Sequence, residues 1–209
     1  MGQHQLSQQQ IVRSLDALAA EYAPIAQALM LVGYPEARIR QGGFGSLARI
    51  IIGQQVSVKA AASIAAKLER VLDDELSADK VMRADDETLR GAGLSRQKVG
   101  YLRALSESVL SGQLDLKALR TLSDDDAVTA ITAIKGFGVW SAHMYLMFSL
   151  GRADIWPAGD LAVRGGFGRM MGNPERLTEK QVATAGAVFS PHRSALALLC
   201  WKFYSEAPL

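Results

Sequence analysis

The segment Ile134-Lys-Gly-Phe-Gly-Val-Trp-Ser141 brings together residue types that can hold a phosphate. Two glycines separated by one hydrophobic residue permit a tight turn, and a helix that starts at once after it points its first backbone amides outward, toward an anion. In that arrangement Gly136 and Gly138 form the turn, Phe137 points inward and pins it, and the Ser141 hydroxyl adds a contact to the same phosphate. The same residues also suit a plain helical hairpin whose glycines only cap the first helix. Farther along, Ile155-Trp-Pro-Ala-Gly-Asp-Leu-Ala-Val-Arg164 places a carboxylate, Asp160, after a Pro and a Gly and before an apolar run with Leu161, Val163 and Phe167. Alone, that carboxylate reads as a helix N-cap, a position Asp fills well.

The elements that must position these groups are helices. Ile11, Leu15, Leu18 and Tyr22 recur on one helical face after Ser7, and Pro24 suits the first turn of a second helix ending at Gly33. Gln41-Gly-Gly-Phe-Gly45 reads as a loop, Ser46–Gln54 as an apolar helix, and Ser57 as the cap of a helix with a broad stripe of Val58, Ala61, Ala62, Ile64, Ala65 and Leu68. Asp85, Ser95, Ser123 and Thr178 are further N-caps, the last two with Asp126 and Gln181 three residues on, as in a capping box. No segment alternates like a strand and no repeat of solenoid period occurs, so the fold class is all-α, with roughly ten helices by length.

Composition narrows the function classes. The 209 residues are 49% hydrophobic and 21% charged, those of an ordinary soluble globular protein. The net charge is only +2 and the isoelectric point about 8.7, which does not by itself announce a nucleic-acid binder. An acidic stretch from Asp73 to Glu87 is followed by Arg90, Arg96, Lys98 and Arg103, and both runs read as solvated helix faces. The single Cys200 excludes an internal disulfide framework, a cysteine-only zinc site and a four-cysteine iron–sulfur cluster. No side-chain metal site is visible. Apolar stretches are interrupted before the roughly 20 residues needed to span a bilayer, and Met1–Gln10 has no apolar signal region. A cytoplasmic protein, nucleoid-associated if bacterial, is therefore expected, with no membrane partner.

Taken together, the hairpin, the helix after it, the Pro-Ala-Gly-Asp loop and the next helix resemble the helix-hairpin-helix (HhH-GPD) DNA glycosylases, with their Gly/Pro-rich loop and catalytic Asp. The likeness extends to Ile51-Ile-Gly-Gln-Gln-Val-Ser57, similar to the segment carrying the residue that plugs the gap left by a flipped nucleotide. Gly93-Leu-Ser-Arg-Gln-Lys-Val-Gly-Tyr-Leu-Arg103 resembles the stretch between that segment and the hairpin, and Phe189-Ser-Pro-His-Arg-Ser194 the segment before the last helix. It covers roughly Phe44 to Phe203 and is nearest the alkylpurine, AlkA-type branch, in the compact form without an N-terminal β domain. The branches that usually carry an iron–sulfur cluster are disfavoured by the lone cysteine.

The resemblance implies one HhH-GPD unit over residues 1–209, made of two interleaved helical lobes flanking an active-site cleft, with hairpin and catalytic loop within 123–172. It implies hydrolysis of the N-glycosidic bond of alkylated purines, such as 3-methyladenine and 7-methylguanine, flipped out of duplex DNA. Asp160 is then the catalytic carboxylate. Trp140 stands where bifunctional members carry a Schiff-base Lys, which implies a monofunctional enzyme without lyase activity. Trp140, Met144, Trp156 and His192 are base-pocket candidates; Met144 and His192 replace aromatic residues of the AlkA type, Trp140 alternatively packs in the core, and Trp156 alternatively anchors the loop. His143 reads as a structural histidine and Arg193 as half of an ion pair. Gln54, Gln55, Ser57, Lys135, Gly136, Phe137, Gly138 and Ser141 are the DNA-binding set, with Gln55 the best wedge and one of the two glutamines serving structure. No cofactor is implied beyond a monovalent cation on hairpin carbonyls near Ile134, Gly136 and Val139. The expected partner is double-stranded DNA carrying alkylated bases, met by a monomer. Two other readings stay open: a non-catalytic helix-hairpin-helix DNA-binding protein, and a glycosylase for uracil, hypoxanthine or an oxidised purine.

Overall fold

Short polar side chains start the helices where the sequence places them. In the computed structural model, which describes residues 6–173 and 175–207, these are α1 (Gln8–Glu21), α2 (Ala23–Val32), α3 (Phe44–Gly53), α4 (Val58–Val71), α5 (Ala78–Arg83), α6 (Asp86–Gly91), α7 (Arg96–Leu110), α8 (Asp124–Thr132), α9 (Val139–Phe148), α10 (Leu161–Met170), α11 (Glu179–Gly186) and α12 (Arg193–Glu206). No strand occurs among the described residues. Ser7, Ser57, Asp85, Ser95 and Ser123 each accept the backbone N–H three residues on, and Thr178 with Gln181 completes a capping box.

Twelve α-helices form among the described residues rather than about ten, because α5 and α6 are six-residue helices too short to show a periodic apolar face. The α3 helix also begins two residues before Ser46, since Gly43 at φ +108° opens it and draws Phe44 into its first turn.

The chain divides into two compact units. Among the described residues, one comprises the segments up to Ile39 and from Leu146 onward; the other is Arg40–Tyr145. In the first unit α10 lies along α12, and α1, α2 and α12 bury Ile11, Leu15, Leu18, Ile25, Leu196 and Leu199. In the second, α3 packs on α4 and α7, with Leu47, Ile51, Ile52, Leu68, Leu102 and Leu105 in the core.

The α4 stripe is narrower than its spacing suggests: Ala65 and Leu68 are buried, whereas Val58 and Ala62 are exposed, because only the second half of α4 is packed over. The basic run is not simply a solvated face. Arg103 donates to the carbonyls of Val81, Met82 and Ala84 and to Asp86, closing the C-terminus of α5, and Lys98 Nζ donates to Ile52 O at 2.7 Å. Among the described residues no helix is long and apolar enough to cross a membrane.

Candidate nucleic-acid interface and carboxylate site

The hairpin is built wholly within the second unit up to Tyr145. Phe137 N–H donates to Ile134 O at 3.1 Å, Gly136 turns the chain at φ +101°, and Ala142 N–H donates to Gly138 O to open α9. Ile134 and Phe137 are buried, so the hydrophobic residue between the glycines anchors the turn inward, while Lys135 and Gly138 face outward. The first-turn amides of α9 point along its axis out of the N-terminus, the geometry that favours an anion. Gly136 is required on two counts. Its φ is one that L side chains rarely adopt, and a Cβ there would overlap the Tyr101 ring.

A second segment is tied to this turn. Gln54 Nε2 donates to Gly136 O at 2.8 Å, and Lys98 donates to Ile52 O at the C-terminus of α3. Burial pushes the Lys98 ammonium below the usual lysine range, against the pull of the helix-end carbonyl, which favours the charged form. Between these ties Gln55 is exposed and sits at φ +55°, a left-handed conformation that costs a non-glycine residue about 1–3 kcal/mol. The two glutamines therefore part company: Gln54 braces the hairpin, and Gln55 projects from a strained backbone. Val56 and Val58 are exposed beside it, and Ser57 spends its hydroxyl on capping α4.

The remaining residues of this region sort by burial. Trp140 is 45% exposed in the first turn of α9, so it does not take up core packing. Met144 is buried and His143 half-buried. Ser141 is only 4% exposed, which leaves its amide rather than its hydroxyl as the better route to a phosphate. Ile134 O and Gly136 O already accept Phe137 N–H and Gln54, so a monovalent cation at the hairpin would share carbonyls with those donors. Among the described residues no cluster of three or more His, Cys, Asp or Glu could hold a metal ion.

The carboxylate belongs to the first unit. Asp160 caps α10, its Oδ1 accepting the Ala162 and Val163 amides at 2.9 Å each, and the same oxygen accepts the Trp201 indole N–H at 2.9 Å. Nothing in the local sequence points to Trp201, which lies 41 residues away on another helix. The loop before Asp160 is pinned by Trp156, 8% exposed, whose Nε1 donates to Val182 O and whose ring lies edge-on to Phe167. Of its two possible roles this burial supports anchoring the loop. His192 Nδ1 lies 3.0 Å from Ser14 Oγ, a structural partnership. Arg193 makes two 2.8 Å hydrogen bonds to Asp154, which also accepts Ser190 Oγ. Burial opposes the Asp154 charge most strongly, but Arg193 and Ser190 together hold its pKa below the usual carboxylate value.

The hairpin, the braced loop and the capped carboxylate all fall inside one sequence family. Residues 48–191 match the HhH-GPD superfamily, described as base excision DNA repair proteins. The chain belongs to this superfamily. DNA-3-methyladenine glycosylase 1 of Schizosaccharomyces pombe is 30% identical over 162 residues, 76% of this chain and 71% of that protein. Among solved structures, a DNA-3-methyladenine glycosidase from Bacillus halodurans matches with a TM-score of 0.83 at 32% identity, covering 93% of this chain and 88% of that one. The Schizosaccharomyces pombe 3-methyladenine DNA glycosylase in complex with abasic DNA matches with a TM-score of 0.83 at 26% identity, over 91% of this chain and 95% of that chain.

Proposed function

We propose that this superfamily member is a monofunctional DNA glycosylase that removes alkylated purines, 3-methyladenine and 7-methylguanine, from duplex DNA. The observation that carries the reading is Asp160, an oriented carboxylate at the head of α10, in a chain whose relatives are named 3-methyladenine glycosylases. The partner in this reading is duplex DNA, met in the cytoplasm or, in a bacterium, on the nucleoid.

Alkylated purines of this kind carry positive charge, so the bond to the sugar is already weak and the protein's task is exposure and charge stabilisation. The hairpin amides and Lys135 hold backbone phosphate, and Gln55 fills the place of the flipped nucleotide. As the C1′–N bond breaks, its electron pair leaves with the base and neutralises it, and positive charge develops on the sugar. The Asp160 carboxylate stabilises that charge. Water then adds to C1′, its proton passing to the carboxylate or to solvent. The exposed face of Trp140 suits stacking against a cationic base, worth about 0.5–2 kcal/mol. An indole cannot form a Schiff base, and Lys135 lies on the far side of the two glycines, so no strand cleavage accompanies base loss.

The test is to incubate methylated duplex with the protein and separate the released bases by chromatography. Free methylpurine, with strand breaks only after alkali, is the expected result. Breaks without alkali would remove the monofunctional reading. A second reading rests on Asp160 serving as cap alone: the protein then binds duplex through phosphate contacts with steep salt dependence and releases nothing.

A further inference from the structure

Capping α10 needs only one carboxylate oxygen and the amides of its first turn, and Ala162 and Val163 already supply them. The third donor on Asp160 Oδ1, the indole N–H of Trp201, is therefore more than a cap requires. It is also brought there by a dedicated packing arrangement. A Cβ on Gly166 would overlap the backbone carbonyl of Cys200, and a Cβ on Gly165 would overlap the Tyr204 ring. These two glycines let α10 and α12 approach backbone to backbone, and the approach sets Trp201, next to Cys200, against the head of α10. Phe148 lies beside the indole, ring centroids 5.8 Å apart. Cys200 is fully buried, and burial first, then the charge of Asp160, pushes its thiol up, so it stays a neutral packing residue beside the carboxylate.

We propose that Trp201 is a positioning residue for the reaction: its indole N–H locks the rotation of the Asp160 carboxylate so that the negative charge is set before the sugar becomes cationic. The inference rests on the glycosylase reading above and extends it to a residue on the last helix. Preset charge is worth more to a transition state than charge that must reorient, because no reorganisation accompanies bond breaking.

The experiment replaces Trp201 alone with 3-benzothienylalanine, which keeps the bicyclic shape but has sulfur where indole has N–H. Fluorotryptophans, whose N–H is more acidic, are placed at the same position as a second series. Single-turnover release of 7-methylguanine and affinity for an abasic duplex are measured side by side. The expected result is a fall in rate of roughly 10- to 100-fold for the benzothienyl protein, the size of losing one hydrogen bond to a charged group. Abasic-duplex affinity stays unchanged, and the fluorinated proteins exceed the wild-type rate in the order of their N–H acidity. A benzothienyl protein within twofold of the wild-type rate overturns the proposal, as does a loss that appears equally in duplex affinity. Where the benzothienyl protein does not fold, the fluorotryptophan series decides alone, and a rate that ignores N–H acidity overturns it. Failure of the glycosylase reading is told apart by Asp160→Asn, since wild type and that variant then both release nothing.

Discussion

Gly136 shows how much a single position can carry. Its left-handed backbone and its contact with the Tyr101 ring both exclude a side chain, so Gly136→Ala should lower stability by about 2–3 kcal/mol and weaken duplex binding, read by thermal unfolding and a binding titration. Gln54 and Gln55 separate in the same two measurements. Gln54→Ala should cost about 1 kcal/mol of stability through the lost bond to Gly136 O, whereas Gln55→Ala should leave the midpoint in place and slow base release. The two residues are of one type, and the structure separates them by the Gln54 bond to Gly136 O and by Gln55 at φ +55°. The Asp154–Arg193 pair sets an acid limit. Because the Asp154 pKa is lowered on folding, its contribution is fully present above the ordinary carboxylate value of about 3.9 and is lost as pH falls below that toward the folded value. The difference in thermal midpoint between wild type and Asp154→Asn should therefore be constant from neutral pH to about 5 and shrink in stronger acid.

At the scale of elements, the helix starts were legible because each cap is a local bond between residues three apart, as at Ser95 with Lys98 N and at Thr178 with Gln181. The hairpin was legible for the same reason, its Gly-x-Gly turn and inward Phe137 being contiguous in the chain. The α10–α12 contact was not. Gly165 and Gly166 look unfavourable inside a helix, and the reason for them, the Cys200 carbonyl and the Tyr204 ring, lies over thirty residues away in sequence. Trp201 escapes sequence reasoning for the same reason, and a pocket reading of His192 and Trp156 overlooks partners, Ser14 and Val182, that are also distant in the chain. Gly166→Ala should destabilise the protein by about 3 kcal/mol or more, since backbone rather than a flexible side chain must move; chemical denaturation measures it.

For the molecule as a whole, a family position and an all-helical fold were readable from a few ordered motifs, while the electrostatic setting of the chemistry was readable only from the structure. The segments up to Ile39 and from Leu146 onward make up the unit that carries Asp160, and Arg40–Tyr145 the unit that carries the hairpin, so in the proposed function phosphate binding and charge stabilisation fall to different units. The division predicts that binding and chemistry can be lost independently. That independence is tested most directly at Asp160: single-turnover release of 7-methylguanine from a defined duplex, wild type against Asp160→Asn, with duplex affinity measured in parallel. The variant should bind DNA within a fewfold of wild type and release base at least 100-fold more slowly, a loss of about 2.7 kcal/mol or more in transition-state stabilisation. Equal rates of base release by the two proteins would contradict this and leave Asp160 as a helix cap alone.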